Sequence, residues 1–164
     1  MKITRLTPST FEALTEEQLS EWLRIDSDSD ALTTAMLVQS ATEIVEGLTG
    51  QSLGESDFRI VFDRRMACLS LPLDPIQTVN SVKVAGQAVG YTLRGDTIFL
   101  DAFPAGPVTV EVTAGYGDPE LVPLSLRHAI AVLVGAGYDN REAIDPKTMQ
   151  TVANLCARHR RLVL

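Results

Sequence analysis

Seven residues late in the chain, Val108-Thr109-Val110-Glu111-Val112-Thr113-Ala114, alternate apolar with polar without a break. Only an extended strand puts every second side chain on one face, so the segment predicts a strand with a core side and a water side. It closes a longer stretch, from Asp57 to Ala114, in which short β-type runs are separated by turn residues. These runs are 58–62, 67–71, 78–84, 89–93 and 97–100, and their spacing suggests a small antiparallel sandwich or barrel.

On both sides of this block the pattern is helical. Thr15-Glu16-Glu17-Gln18 has the form of a capping box, opening a short helix through Leu19, Trp22 and Leu23. The turn Asp26-Ser27-Asp28-Ser29-Asp30 supplies a cap for a second helix. Its Leu37, Ala41, Ile44 and Leu48 share one face, and Gly50 ends it. After Gly115-Tyr116-Gly117-Asp118-Pro119 the chain bends, and Pro123 suits a first helical turn. Residues 129–134 are apolar nearly all round, as in a helix buried on most sides. A last helix is expected from about Pro146 to Arg161, with Val152, Leu155 and Cys156 on one face. The expected fold class is α+β: a single domain, 1–164, with a helical bundle core of about four helices interrupted by an inserted β-subdomain. Residues 14–50 give the N-terminal helices, 57–114 the small antiparallel β-sandwich or barrel, and 122–161 the helices that complete the core. No internal repeat is visible.

Hydrophobic residues make up 45% of the 164 and charged residues 21%, a globular balance that can bury a core without staples. Cys68 and Cys156 lie far apart in no Cys-x-x-Cys spacing, which argues against a zinc or redox site and fits a reducing cytoplasm. Met1-Lys2-Ile3 is not followed by the apolar core of a signal peptide. The stretch from Ala129 to Tyr138 is too short to span a bilayer, so no membrane role is expected. The net charge of -7 is uneven: residues 1–63 carry 12 acidic and 4 basic side chains, and residues 64–164 carry 9 and 10. An acidic front half disfavours affinity for phosphate backbones.

The motifs that invite chemistry each lack a required partner. Asp26-x-Asp28-x-Asp30 starts like a calcium loop, but Ala31 and Leu37 stand where such a loop needs glycine and a bidentate glutamate. A turn that caps a helix is the better reading. His128 has no serine or cysteine in a nucleophile turn beside it, so a packing or interface histidine is expected. Gly115-Tyr116-Gly117 is followed by no Gly-Lys-Ser/Thr, and reads as the end of a strand rather than a phosphate cradle. The pairs Glu16/Glu17 and Glu43/Glu46 are expected to face water. Arg158-His159-Arg160-Arg161 is either a solvated helix end, favoured by the helix dipole, or a docking element for an acidic partner. No cofactor, metal or catalytic site is expected, and the chain does not read as an enzyme.

An ordered set of segments carries a resemblance. It runs from Leu14-Thr15-Glu16-Glu17 through Trp22-Leu23-Arg24-Ile25-Asp26 to Ala41-Thr42-Glu43-Ile44-Val45-Glu46 and Leu48-Thr49-Gly50. It continues at Leu71-Pro72-Leu73-Asp74-Pro75-Ile76, at Val110 to Gly117, at Val122-Pro123 with Ala129-Ile130, and at Tyr138-Asp139-Asn140-Arg141-Glu142. In order and spacing, residues 14–142 resemble the head-tail connector (adaptor) proteins of tailed phages, especially longer members with a β insertion. They are also similar to the adaptors of gene transfer agents.

The resemblance implies a structural protein of the virion neck, made in the bacterial host cytoplasm. It would form a homo-oligomeric ring, typically twelve-fold, on the portal protein, and offer a platform to stopper or tail-side proteins. DNA would pass through without sequence-specific binding. Within that picture Arg158, Arg160 and Arg161 are candidates for portal docking. Trp22, Tyr116 and Tyr138 are candidate subunit-interface anchors, with burial in the subunit's own core as the competing reading for each. The alternative from another class is a monomeric β-sandwich binding module with helical flanks, recognising a carbohydrate or peptide.

Overall fold

A computed structural model describes the chain except residues 8, 10, 25–30, 64–65, 102–104, 141–142 and 161–164. The order of elements is β1 (Lys2–Arg5), α1 (Glu16–Leu23), α2 (Ala31–Thr49), β2 (Ser56–Phe62), β3 (Cys68–Ser70), β4 (Ile76–Val84), β5 (Gln87–Ala88), β6 (Tyr91–Arg94), β7 (Thr97–Leu100), β8 (Val108–Ala114), α3 (Leu124–Asp139) and α4 (Pro146–Cys156). The class is α+β, as the change of period requires.

Local sequence sets the helix ends. Thr15 accepts the Gln18 N–H at 3.2 Å while the Gln18 side chain accepts the Thr15 N–H at 3.1 Å, completing the capping box. Gly50 follows α2 at φ 71°, the left-handed position that favours glycine. The Asp26-Ser27-Asp28-Ser29-Asp30 turn lies outside the described residues. The last helix is shorter than expected: α4 stops at Cys156 and a 3-10 turn carries the chain to His159.

The helices share one apolar core, in which Val45, Ile130, Val134 and Val152 are fully buried. The strands form a second core. A five-stranded sheet in the order β1-β2-β8-β4-β5 and a three-stranded sheet in the order β3-β7-β6 both turn apolar side chains into it. Along β8 the buried residues are Val108, Val110, Val112 and Ala114, the face that the alternation assigns to the core. Of the two expected forms, sandwich and barrel, the closed barrel is excluded. The described strands make two separate sheets with their own edges, β5 being only two residues long.

Two features depart from the sequence reading. The first is β1, which pairs antiparallel with β2 from Lys2↔Val61 to Arg5↔Phe58 and so ties the start of the chain to the β block. The second is Glu46, expected to face water. Its side chain is only 14% exposed. It receives Arg5 Nη2 at 3.0 Å and the Leu53 N–H at 2.8 Å, joining β1, α2 and the loop into the β block.

The water side of the five-stranded sheet is a polar ladder across strands. Arg59 Nη2 donates to Glu111 Oε1 at 2.8 Å, Ser81 donates to Glu111 Oε2 at 3.2 Å, and Thr113 donates to Asp57 at 2.6 Å. The Arg59 bond, and then the Ser81 bond, hold the Glu111 carboxyl below its usual value of 4.5. Its contribution to stability is therefore present above pH 4.5 and is lost as the pH falls through the lower folded value. Glu111→Gln is expected to be less stable than the parent at neutral pH and to converge with it in acid, as measured by urea denaturation across pH. A gap that is constant with pH would show that the carboxylate charge is not what the ladder uses.

Candidate functional site

The geometry of interest lies at three places: the junction of the two cores, a groove along α2, and the end of the helical core that carries the basic tail. At the junction the chain enters the β block through residues 51–55 and leaves it through 114–117. The two passes touch. Tyr116 N–H donates to Leu53 O at 3.2 Å, Gly115 N–H to Pro75 O at 2.8 Å, and Ser52 N–H to Asp74 O at 3.0 Å. Gly115 has φ 120°, and a Cβ there would collide with the backbone of Gly54. The glycine thus serves a sharp bend at the end of β8, and no phosphate need be invoked.

Tyr116 belongs to this junction. It is half-buried against the helical core, and its hydroxyl donates to Gln51 Oε1 at 3.3 Å. Burial, reinforced by nearby Asp74, raises its pKa, while the Gln51 bond opposes the rise. Tyr138 is also partly buried, in the last turn of α3. Trp22 is different. It is 49% exposed, lies over Gly135 of α3, and meets His128 edge-on at 5.8 Å between ring centroids. Gly135 makes room for the indole, since a Cβ there would stand 3.2 Å from its Nε1. The exposed His128 is thus a packing partner of Trp22.

The groove, of about 560 Å³, runs between Ser9 and residues 11–20 on one side and α2 from Ala31 to Glu46 on the other. Leu14, Leu19 and Val38 give it an apolar lining, and the exposed Glu12, Glu16 and Glu43 give it an acidic rim. Sequence reading missed it. The signal that was available is the composition of α2, whose 19 residues contain no lysine or arginine.

At the far end of α2 the tail packs back. Arg160 Nε donates to Leu48 O at 3.2 Å, where the cation meets the carbonyl end of the helix dipole, and His159 Nε2 lies 2.8 Å from Ser125 Oγ. Arg158 is exposed, and Arg161 lies outside the described residues. Among the described candidate docking arginines, Arg160 is thus already bonded within the subunit. Cys156 is fully buried, which pushes its thiol pKa up, and Cys68 is exposed. Among the described residues no cluster of three acidic, histidine or cysteine side chains is placed to hold a metal, and no helix is long and apolar enough to cross a membrane.

No protein-family model and no curated protein sequence matches the chain. Solved structures do. A chain in the neck of an empty gene transfer agent particle, computed with C6 symmetry, superposes with a TM-score of 0.84 at 23% identity, covering 100% of this chain and 97% of the other. The fold is that of gene transfer agent neck chains. A chain of the native gene transfer agent virion gives 0.78 at 23% identity, and one from the native neck computed with C12 symmetry gives 0.78 at 24%. Both have the same coverage of 100% and 97%. The similarity spans both cores and the junction, so helical bundle and β insertion correspond together as one arrangement.

Proposed function

We propose that the chain is a structural subunit of the neck of a tailed-phage-type particle: an adaptor that forms a ring beneath the portal, extends the DNA channel, and presents a platform to stopper or tail-side proteins. The observation that carries this reading is the full-length fold shared with neck chains, one of them from a particle neck computed with C12 symmetry. Its role is architectural, and it performs no chemistry. The uneven charge has a use in such a ring. Residues 1–63, net -8 from 12 acidic and 4 basic side chains, would give an acidic channel wall that repels DNA and lets it slide. Arg158 and Arg161, with Arg160 steadying the tail on α2, would engage an acidic portal surface. Of the three candidate anchors, Trp22 is the one that the fold leaves half-exposed, available to a neighbouring subunit.

Negative-stain electron microscopy of the purified chain, alone and mixed with a portal protein from the same particle, tests the reading. Rings, or an added layer on the portal, are the expected result. Glutamate at positions 158, 160 and 161 together is expected to abolish that layer, and an unchanged layer would remove the tail from the docking surface. A chain that stays monomeric and ignores the portal would favour the monomeric binding module instead.

A further inference from the structure

α2 is built for contact on more sides than its own subunit covers. Its only charged side chains are Glu43 and Glu46, and the exposed stripe of Leu32, Ala35, Met36, Gln39 and Ser40 carries none. Leu32 is 79% and Met36 66% exposed. A helix face meant for water looks like that of α4, which shows Lys147, Gln150, Thr151 and Asn154. The uncharged stripe borders the groove, which shares Ala35 and Gln39 with it.

A matching feature stands elsewhere on the same chain. Leu121 and Leu124 are 66% and 73% exposed. They sit on a stiffened turn: Asp118 accepts the Glu120 N–H at 2.9 Å, and Pro119 and Pro123 restrict the backbone on either side. Apolar side chains held this way lose little freedom when they are buried in a partner.

We infer that in the ring Leu121 and Leu124 of one copy seat in the groove of the next copy, covering the uncharged stripe of its α2. The inference rests on the ring reading above and names the surfaces that close it. α2 and α3 run antiparallel, with Leu37 against Gly137 and the tail joining Leu48 to the start of α3. The leucines therefore lie at the end where α2 finishes, whereas the groove runs back along α2 toward Ala31. Two copies related by rotation bring these different surfaces together, and such heterologous contacts close into rings. Charge favours the same choice. Groove against groove would set the glutamate rims on each other. Around the leucines the signs are mixed: Asp118, Glu120 and Glu55, which lies beside Gly117, stand with Arg127 and with Arg158, the neighbour of His159 at Ser125, so no rim of one sign opposes the groove.

The test uses the full chain with Cys68→Ser, Ala35→Cys and Leu124→Cys, assembled alone or on the portal and treated with a short bis-maleimide. A ladder of covalent oligomers on a denaturing gel is expected, with none beyond dimer from either single-cysteine control. Intact rings in micrographs without a ladder would overturn the contact and leave the ring standing, as would cross-links confined within one chain or made to the portal. Absence of any ring from the unmodified chain would overturn the ring reading, and this contact with it. Leu121→Asp with Leu124→Asp is expected to abolish rings while leaving the far-ultraviolet circular dichroism and melting temperature of the subunit unchanged. Rings that persist in this variant would refute the contact.

Discussion

Alanine at Gly115 is expected to destabilise the chain by about 3 kcal/mol, lowering the melting temperature by roughly 10 °C in a domain of this size. Two effects combine. At φ 120° the backbone occupies a region that side chains with a Cβ avoid, and the added methyl would collide with the backbone of Gly54 and approach Glu55 N at 2.7 Å. Neither neighbour is the flexible end of a side chain, so relief requires the two passes of the chain to part. That would strain the Tyr116–Leu53 and Gly115–Pro75 bonds at the junction. The control is Gly95→Ala, a turn glycine at φ 60° with open space around it, which should cost about 1 kcal/mol through its backbone conformation alone. Equal losses at the two positions, measured by thermal and urea denaturation, would show that the crossing is looser than its geometry implies.

The second large effect is expected at Glu46. Glu46→Ala strands the N–H of fully buried Leu53 and releases Arg5, at a cost of about 2–3 kcal/mol. Glu46→Gln keeps an acceptor for Leu53 and removes only the charge facing Arg5, and should cost about 1 kcal/mol or less because the Arg5 side chain remains 31% exposed. The split identifies what the residue does. A hydrogen bond to the buried backbone predicts unequal losses, and an ion pair alone predicts similar ones. Arg5 also lies 5.1 Å from the centre of the Phe58 ring, so loss of its anchor should be felt in β1 and β2 as well as in α2. Hydrogen exchange resolved by segment would show this as faster exchange at the β1–β2 pairing.

Both residues sit where the two cores meet, and the same place separates what could be read from sequence and what could not. The strands with a buried face were legible because burial on one side imposes a period of two. β8 and β2 alternate buried with partly or fully exposed residues along their lengths, and the alternation is written in Val108 to Ala114. The capping box at Thr15 and the glycine stop at Gly50 were legible for a related reason, since each satisfies or ends a helix through its own few residues. The strand β1 was not legible. All four of its residues are exposed, so no core imposes a pattern on them, and it is a strand only because β2 offers an unpaired edge. Glu46 was misread for the same cause: its position on α2 says nothing about Arg5 and Leu53, which approach it from 41 residues before and seven after.

The contact surfaces divide in the same way. The charge asymmetry, the basic tail and the absence of catalytic motifs are properties of composition and spacing, and the sequence alone determined them, together with the α+β class and, β1 apart, the order of helical, β and helical blocks. Which aromatics are used up inside the subunit and which remain outside was decided only by packing. Tyr116 is held by Gln51 and the junction, while Trp22 rests on Gly135 with half its surface in water. The groove along α2 and the exposed leucines before α3 are likewise tertiary facts. A side chain's period reports how its own element is buried, and it carries no record of how far the neighbouring elements stand away.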